Sequence, residues 1–348
     1  MYLAAERPPV SLNGPGTSPV ITLDAAALGN MMESTEDQAS TSELLDEIAR
    51  LRRERNAVIL AHYYQIPAIQ DLADVCGDSL ALAQAARRTE AEVIVFAGVN
   101  FMADTAKILN PNKTVVVPDI EAGCSLADDC PGEEFASFRK KHADHVAVSY
   151  INCSIEVKAH SDLVCTSSNA QTIIESIPRS KKILFAPDIN LGRYLMHKTG
   201  RDMLLWNAVC VVHDVYREED LLRLKAEHPE AEVLAHPECR ESILRHADLI
   251  GSTSKIIEHG AASKAPAAII ATESGVIHQM SKRAPSKLFI PMPGESPDAA
   301  CSVCPYMRLN TVEKLRDCLR DLQPRIEVDS RLGERALAPI ERMLALST

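Results

Sequence analysis

Short runs of consecutive apolar residues recur along the chain, each ended by a polar or aromatic residue and followed by a stretch with helical spacing. Such runs read as strands buried on both faces, the pattern of parallel sheets, with helices between them. Three segments repeat one another: VILAHYYQIPAIQDLADVCGDSLALAQAA, VAVSYINCSIEVKAHSDLVCTSSNAQTII and EVLAHPECRESILRHADLIGSTSKII. In each, the apolar run ends at His62, Tyr150 or His236, with Tyr64, Asn152 or Glu238 two residues on. Twelve residues past the run end stands Asp74, Asp162 or Asp248, and five further stands Ser79, Ser167 or Thr253. The copies are spaced by 88 and then 86 residues, and the matches need no gaps.

The second half of each copy repeats as well. EVIVFAGV, KKILFAPD and AAIIATES form one set of apolar runs, and TVVVPDI, MLLWNAVCVV and KLFIPMP a later one. Cys124, Cys210 and Cys304 follow the three run ends by 62, 60 and 68 residues, one thiol per copy. The expected fold is α/β: three αβα domains with short parallel sheets around a pseudo-threefold axis, over residues 41–140, 141–228 and 229–333. A helix over 44–56 leads the repeats, and one over 334–346 closes the chain beside the first. Residues 1–40, with Pro8, Pro9, Pro15 and Pro19 and an acidic-polar stretch, read as a disordered extension.

Ligand groups in such folds gather at the carboxyl ends of strands. Three related domains therefore aim one thiol each at a shared point. Three sulfur ligands leave a metal one open position, as a Lewis-acid catalyst requires. A single zinc with an activated water, or a non-catalytic sensor using its metal as a redox switch, would use the same three sulfurs. The second lacks an accompanying helix-turn-helix or basic segment. Cys76, Cys153, Cys165, Cys239 and Cys318 fall outside the pattern and read as structural, whereas Cys130 is ambiguous. Cys301 and Cys304 form a C-x-x-C that either permits a redox pairing or holds an idle second thiol.

Ser79, Ser167 and Thr253 stand where strands pass into helices, positions that either cap a helix or, taken together, cradle an anion. His62, Tyr64, Tyr150, Asn152, His236 and Glu238 mix acid/base groups with neutral donors, and His213 stands three residues after Cys210. Asp74, Asp162 and Asp248 are assigned structural roles.

Composition narrows the class. The formal net charge of −11 and the lack of a basic stripe argue against nucleic acid as a partner. No apolar run reaches the roughly 18–20 residues that cross a bilayer, and no secretory leader is evident, so the cytoplasm is expected. There, ten cysteines point to metal ligation more than to disulfides.

AHYYQIPAIQDLADVCGDSLALA, FAGVNFMADTAKILNP, AGCSLADDCP, YINCSIEVKAHSDLVCTSSNA, FAPDINLGRYL, AHPECR, GSTS and CPYMRLN resemble, in order, the motifs of the quinolinate synthase family. The likeness covers about residues 43–346. Cys153 stands where that family more often has Thr, and Cys76 where it has an aliphatic residue. The resemblance implies condensation of iminoaspartate with dihydroxyacetone phosphate to quinolinate, in de novo NAD biosynthesis. It implies one [4Fe–4S] cluster on Cys124, Cys210 and Cys304, with an open iron as Lewis acid. It also places His62, Tyr64, Tyr150, Asn152, His236 and Glu238 in the active site and gives Ser79, Ser167 and Thr253 to the substrate's anionic groups. Glu238 and Tyr64 are the candidate proton carriers, assisted by Tyr150, His236, His62 and His213. An L-aspartate oxidase or dehydrogenase is the partner that would supply the unstable imine.

Overall fold

The computed structural model describes residues 35–294 and 302–347. Residues 1–34 of the expected extension and Cys301 of the C-x-x-C lie outside them. Among the described residues, twelve strands form three separate four-stranded sheets, all parallel. The first holds β1 (Ala57–His62), β2 (Val75–Gly77), β3 (Val93–Ala97) and β4 (Thr114–Val116), in the order β2-β1-β3-β4. The second holds β5 (His145–Tyr150), β6 (Leu163–Cys165), β7 (Lys182–Ala186) and β8 (Met203–Leu205), and the third β9 (Ala231–Ala235), β10 (Leu249–Ile250), β11 (Ala267–Ala271) and β12 (Leu288–Pro291). Their orders, β6-β5-β7-β8 and β10-β9-β11-β12, repeat the first.

The centre of each sheet is apolar and closed to solvent on both faces. Ile59, Leu60, Ile94, Val95, Val148, Leu184, Val233, Leu234, Ile269 and Ile270 are all essentially inaccessible. Each buried aliphatic side chain of this size contributes about 1.5–3 kcal/mol.

The three aspartates explain how the repeat is held locally. Asp74 Oδ2 accepts the Ile59 amide at 2.9 Å, Asp162 Oδ2 the Ala147 amide at 2.7 Å, and Asp248 Oδ2 the Val233 amide at 2.8 Å. In each case the amide of the Asp also donates to the carbonyl of that same strand residue, fifteen positions back. The aspartate thus pins the chain entering the second strand to the first strand of its own copy.

Two boundaries differ from expectation. The leading helix spans Thr35–Glu54, so it begins within the stretch assigned to the extension. The helix Val312–Asp321, expected within the third repeat, buries Leu315, Cys318 and Leu319 in the core of the first sheet, beside Ile48, Ile59 and Val95. After it the chain bridges the edge of β4, where the Val117 amide donates to Pro324 O and the Ile326 amide to Val115 O. The closing helix, Ser330–Ala345, touches the first repeat through the helix Asn100–Leu109. It lies along β6 and the helix Ile155–Ala159 of the second. Its apolar stripe of Ala336, Ile340, Met343 and Leu344 joins a core shared by both copies, which is why it does not belong to one copy alone.

Candidate active site at the strand ends

All the site residues named from the sequence come together. His62, Tyr64, Ser79, Cys124, Tyr150, Asn152, Ser167, Cys210, His213, His236, Glu238, Thr253 and Cys304 line one cavity at the carboxyl ends of the strands.

The three thiols share a local geometry. Cys124 precedes the helical turn Ser125–Asp128, and its sulfur faces the amides of Leu126 and Ala127. Cys304 precedes the 3₁₀ turn Met307–Leu309 and faces the amides of Tyr306 and Met307, and Cys210 faces that of Val212. Turns that aim amides at a sulfur suit a thiolate bound to metal, and hydrogen bonds to sulfur tune iron–sulfur centres. All three cysteines are half-buried, unlike the fully buried Cys130, Cys153, Cys165, Cys239 and Cys318. This donor set fits a cluster held by three cysteines. Burial pushes all three thiols up, Cys304 to about 11.

Beside the thiols runs a continuous chain of hydrogen bonds. The Tyr64 hydroxyl lies 2.8 Å from Thr272 Oγ1, which is 2.9 Å from His213 Nε2. His213 Nδ1 lies 3.0 Å from Glu238 Oε2, and Tyr150 donates its hydroxyl to Glu238 Oε1 at 2.6 Å. Burial opposes ionisation of Glu238, but His236, His213 and Tyr150 outweigh it and hold the carboxyl well below its usual range. Burial, followed by the charge of Glu238, pushes both Tyr64 and Tyr150 well up, so their hydroxyls stay protonated. Burial also lowers His62 to about 4 and His236 to about 3. His62 Nδ1 accepts the Tyr64 amide at 3.1 Å, which leaves the neutral ring's proton on Nε2. His236 stacks on His213 with ring centroids 4.7 Å apart.

The hydroxyl positions separate from the caps. Asp78 caps the helix Ser79–Arg88, Ser252 caps Thr253–Ala262, and the helix Ala170–Ser176 starts after Asn169. Ser79, Ser167 and Thr253 are therefore left to line the cavity, together with Asn152, whose Oδ1 has no protein partner.

Four contributors were not legible in the sequence. Thr272 links Tyr64 to His213, and its carbonyl accepts from the Tyr216 hydroxyl at 2.8 Å. Glu273, fully buried, accepts from Arg308 at 2.6 Å and from the Gly275 amide at 2.6 Å, and takes the Cys304 amide at 3.3 Å, so it fixes the Cys304 turn. Gly275 is required there, because a Cβ would stand 2.7 Å from the Tyr63 carbonyl. Lys158, fully buried, donates to the carbonyl of Cys153 at 2.6 Å, next to Asn152. Asp188 accepts the Leu191 amide at 2.6 Å, and burial followed by the charge of Glu238 pushes its carboxyl well up. Thr272 has no counterpart in the other copies, while Asp188 and Glu273, and Lys158 and Gln70, correspond in position but change residue type between copies.

No helix among the described residues is long and apolar enough to cross a membrane. The family model described as quinolinate synthetase A protein matches residues 46–345. A quinolinate synthase of Chloroherpeton thalassium is 57% identical over 308 residues, 88% of this chain and 96% of that protein. One of Microcystis aeruginosa is 55% identical over 316 residues, 91% of this chain and 99% of that protein. One of a Synechocystis species is 56% identical over 305 residues, 88% of this chain and 96% of that protein. With cavity, thiols and matches in agreement, this chain belongs to the quinolinate synthetase A family.

Proposed function

We propose that this enzyme condenses iminoaspartate with dihydroxyacetone phosphate to give quinolinate, phosphate and water, in the cytoplasm. The observation that carries this reading is the meeting of one thiol per repeat with the Tyr64–Thr272–His213–Glu238–Tyr150 chain in one cavity. Cys124, Cys210 and Cys304 would hold a [4Fe–4S] cluster, which would supply Lewis-acid chemistry to the substrates in this cavity.

The chain's own residues do the rest. Ser79, Ser167 and Thr253 hold the anionic ends of the substrates, assisted by Asn152. His62 and His236, kept neutral by burial, donate to substrate oxygens without adding charge. A hydroxyl, an imidazole and a carboxylate in sequence form a unit that takes up and returns protons. Here Glu238 orients His213, and His213 polarises Thr272 and through it Tyr64. Condensation and dehydration need a proton removed at one carbon and delivered to a departing oxygen, and Glu238, held as the carboxylate, and Tyr64, held protonated, are the carriers of this reading. The imine is supplied by an L-aspartate oxidase or dehydrogenase acting nearby, since it hydrolyses readily in water.

Anaerobic purification with iron and sulfide analysis, beside an assay for quinolinate, tests this reading. Iron and sulfide in equal amounts, together with quinolinate formation, support it. Zinc without sulfide, or an intact cluster without turnover, would leave a zinc hydrolase or a redox sensor in its place.

A further inference from the structure

The threefold pattern breaks at one point beside the cavity. One residue before Ser79, Ser167 and Thr253 stand Asp78, Thr166 and Ser252, and one residue after them stand Leu80, Ser168 and Ser254. The first copy alone has a carboxylate before its hydroxyl, and the second and third alone have a serine after theirs. These departures meet. Ser168 donates its hydroxyl to Asp78 Oδ2 at 2.6 Å, and Ser254 donates to the same oxygen at 2.7 Å, across 90 and 176 residues of sequence. Asp78 Oδ1 accepts the Ala81 amide at 3.0 Å as helix cap, so both oxygens are engaged. The side chain is 5% exposed, and Asp78 lines the cavity with the three hydroxyl residues.

We propose that Asp78 is a positioning residue that sets the specificity of the anion cradle, tying the three strand-to-helix segments together so that Ser79, Ser167 and Thr253 converge at one separation. A carboxylate can accept two hydroxyls on one oxygen, and a buried one is costly unless it is so satisfied. The bonds from Ser168 and Ser254 are each one residue from the hydroxyl they steady, so loss of the tie acts on substrate hold before chemistry. The hydrogen bonds of the tie do not reach the turns that carry the thiols, so cluster content should not follow it. The inference rests on the function proposed above only in naming the substrate.

The test uses the full chain with its cluster and compares Asp78→Ala, Asp78→Asn and the double variant Ser168→Ala/Ser254→Ala. Asp78→Ala is expected to raise KM for dihydroxyacetone phosphate by about tenfold, some 1.4 kcal/mol, with a smaller change in kcat and unchanged iron and sulfide. The double variant should reproduce the effect, and adding Asp78→Ala to it should change little more, since the three residues act as one unit. Asp78→Asn should restore KM to within a few-fold of the parent, because its amide can bond both serines while Oδ1 still caps the helix. Calorimetric titration with inorganic phosphate reads the same tie without turnover, so it stays informative if quinolinate is not the product. An unchanged KM and phosphate affinity in Asp78→Ala would overturn the proposal. So would an Asn variant as impaired as Ala, which would assign the effect to charge, or additive losses in the triple variant. Thermal melts identify a variant that fails through folding, in which case Ser168→Ala and Ser254→Ala singly carry the test.

Discussion

The Tyr150 hydroxyl donates to Glu238 Oε1 at 2.6 Å, joining residues 88 positions apart that stand at the strand end of one copy and two past the strand end of the next. The bond crosses from one sheet's strand ends to another's. It makes the carboxylate common property of two repeats, and through His213 that carboxylate also faces Thr272 and Tyr64. Substitutions along this line should therefore affect catalysis out of proportion to their effect on folding.

Thr272→Val removes one hydroxyl from the middle of the chain with little change in shape. The expected result is a fall in kcat of roughly a hundredfold or more, the usual scale for loss of general acid–base assistance, with KM nearly unchanged. Steady-state kinetics on protein with normal iron content checks this. A kcat within a few-fold of the parent would remove Thr272 from the proton path.

Serine at Cys124, Cys210 or Cys304 should abolish cluster iron and sulfide. Serine at Cys153 or Cys165 should leave both near the parent level, because those sulfurs are fully buried in apolar packing. Iron and sulfide assays with absorption spectra decide it, and a full cluster in Cys210→Ser would sink the ligand assignment.

Lys158 and Gln70 occupy equivalent positions in the second and first copies, and each donates to the carbonyl five residues back, Cys153 and Gln65 respectively. Lys158→Met should cost about 1.5–3 kcal/mol, the range for a lost hydrogen bond from a charged donor. Lys158→Gln should retain most of the stability by copying the first repeat. Thermal denaturation of the two variants side by side is the measurement, with equal losses counting against it.

Burial holds His62 near 4 in the folded chain, against an ordinary value of 6.5, with Asp78 and Glu238 pulling the other way. Below pH 6.5 the unfolded chain takes up a proton that folded His62 refuses until about pH 4. Stability is therefore complete above pH 6.5 and declines as the pH drops through that window. His62→Gln should flatten the dependence of Tm on pH between 6.5 and 4, and an unchanged slope would disprove the assignment.

The repeat made much of this molecule readable. His62, Tyr150 and His236 were visible because one apolar run ends in the same way three times, and the cysteines because each recurs at a similar offset. The aspartates were read as structural, and each indeed closes a loop onto its own strand. What repetition could not expose were residues unique to one copy. Thr272 follows β11 where the other copies have Gly98 or Pro187, so no echo marks it, and the acid at Glu273 recurs only as Asp188 in the second copy. The helix Val312–Asp321 is read locally as part of the third repeat, yet its apolar stripe matches the open flank of the first sheet. That choice is made by packing between distant segments, to which linear spacing is blind.

Because every strand of all three sheets runs in the same sense as its neighbours, the reactive groups occupy a single rim and the opposite rim carries none of them. The turns that lead into β3, β7 and β11 can then be lengthened, tagged or recombined without disturbing turnover. A change of one residue in the turns that leave β1, β5 or β9 would move a reacting atom. The molecule offers an engineer one side to alter and one to leave alone.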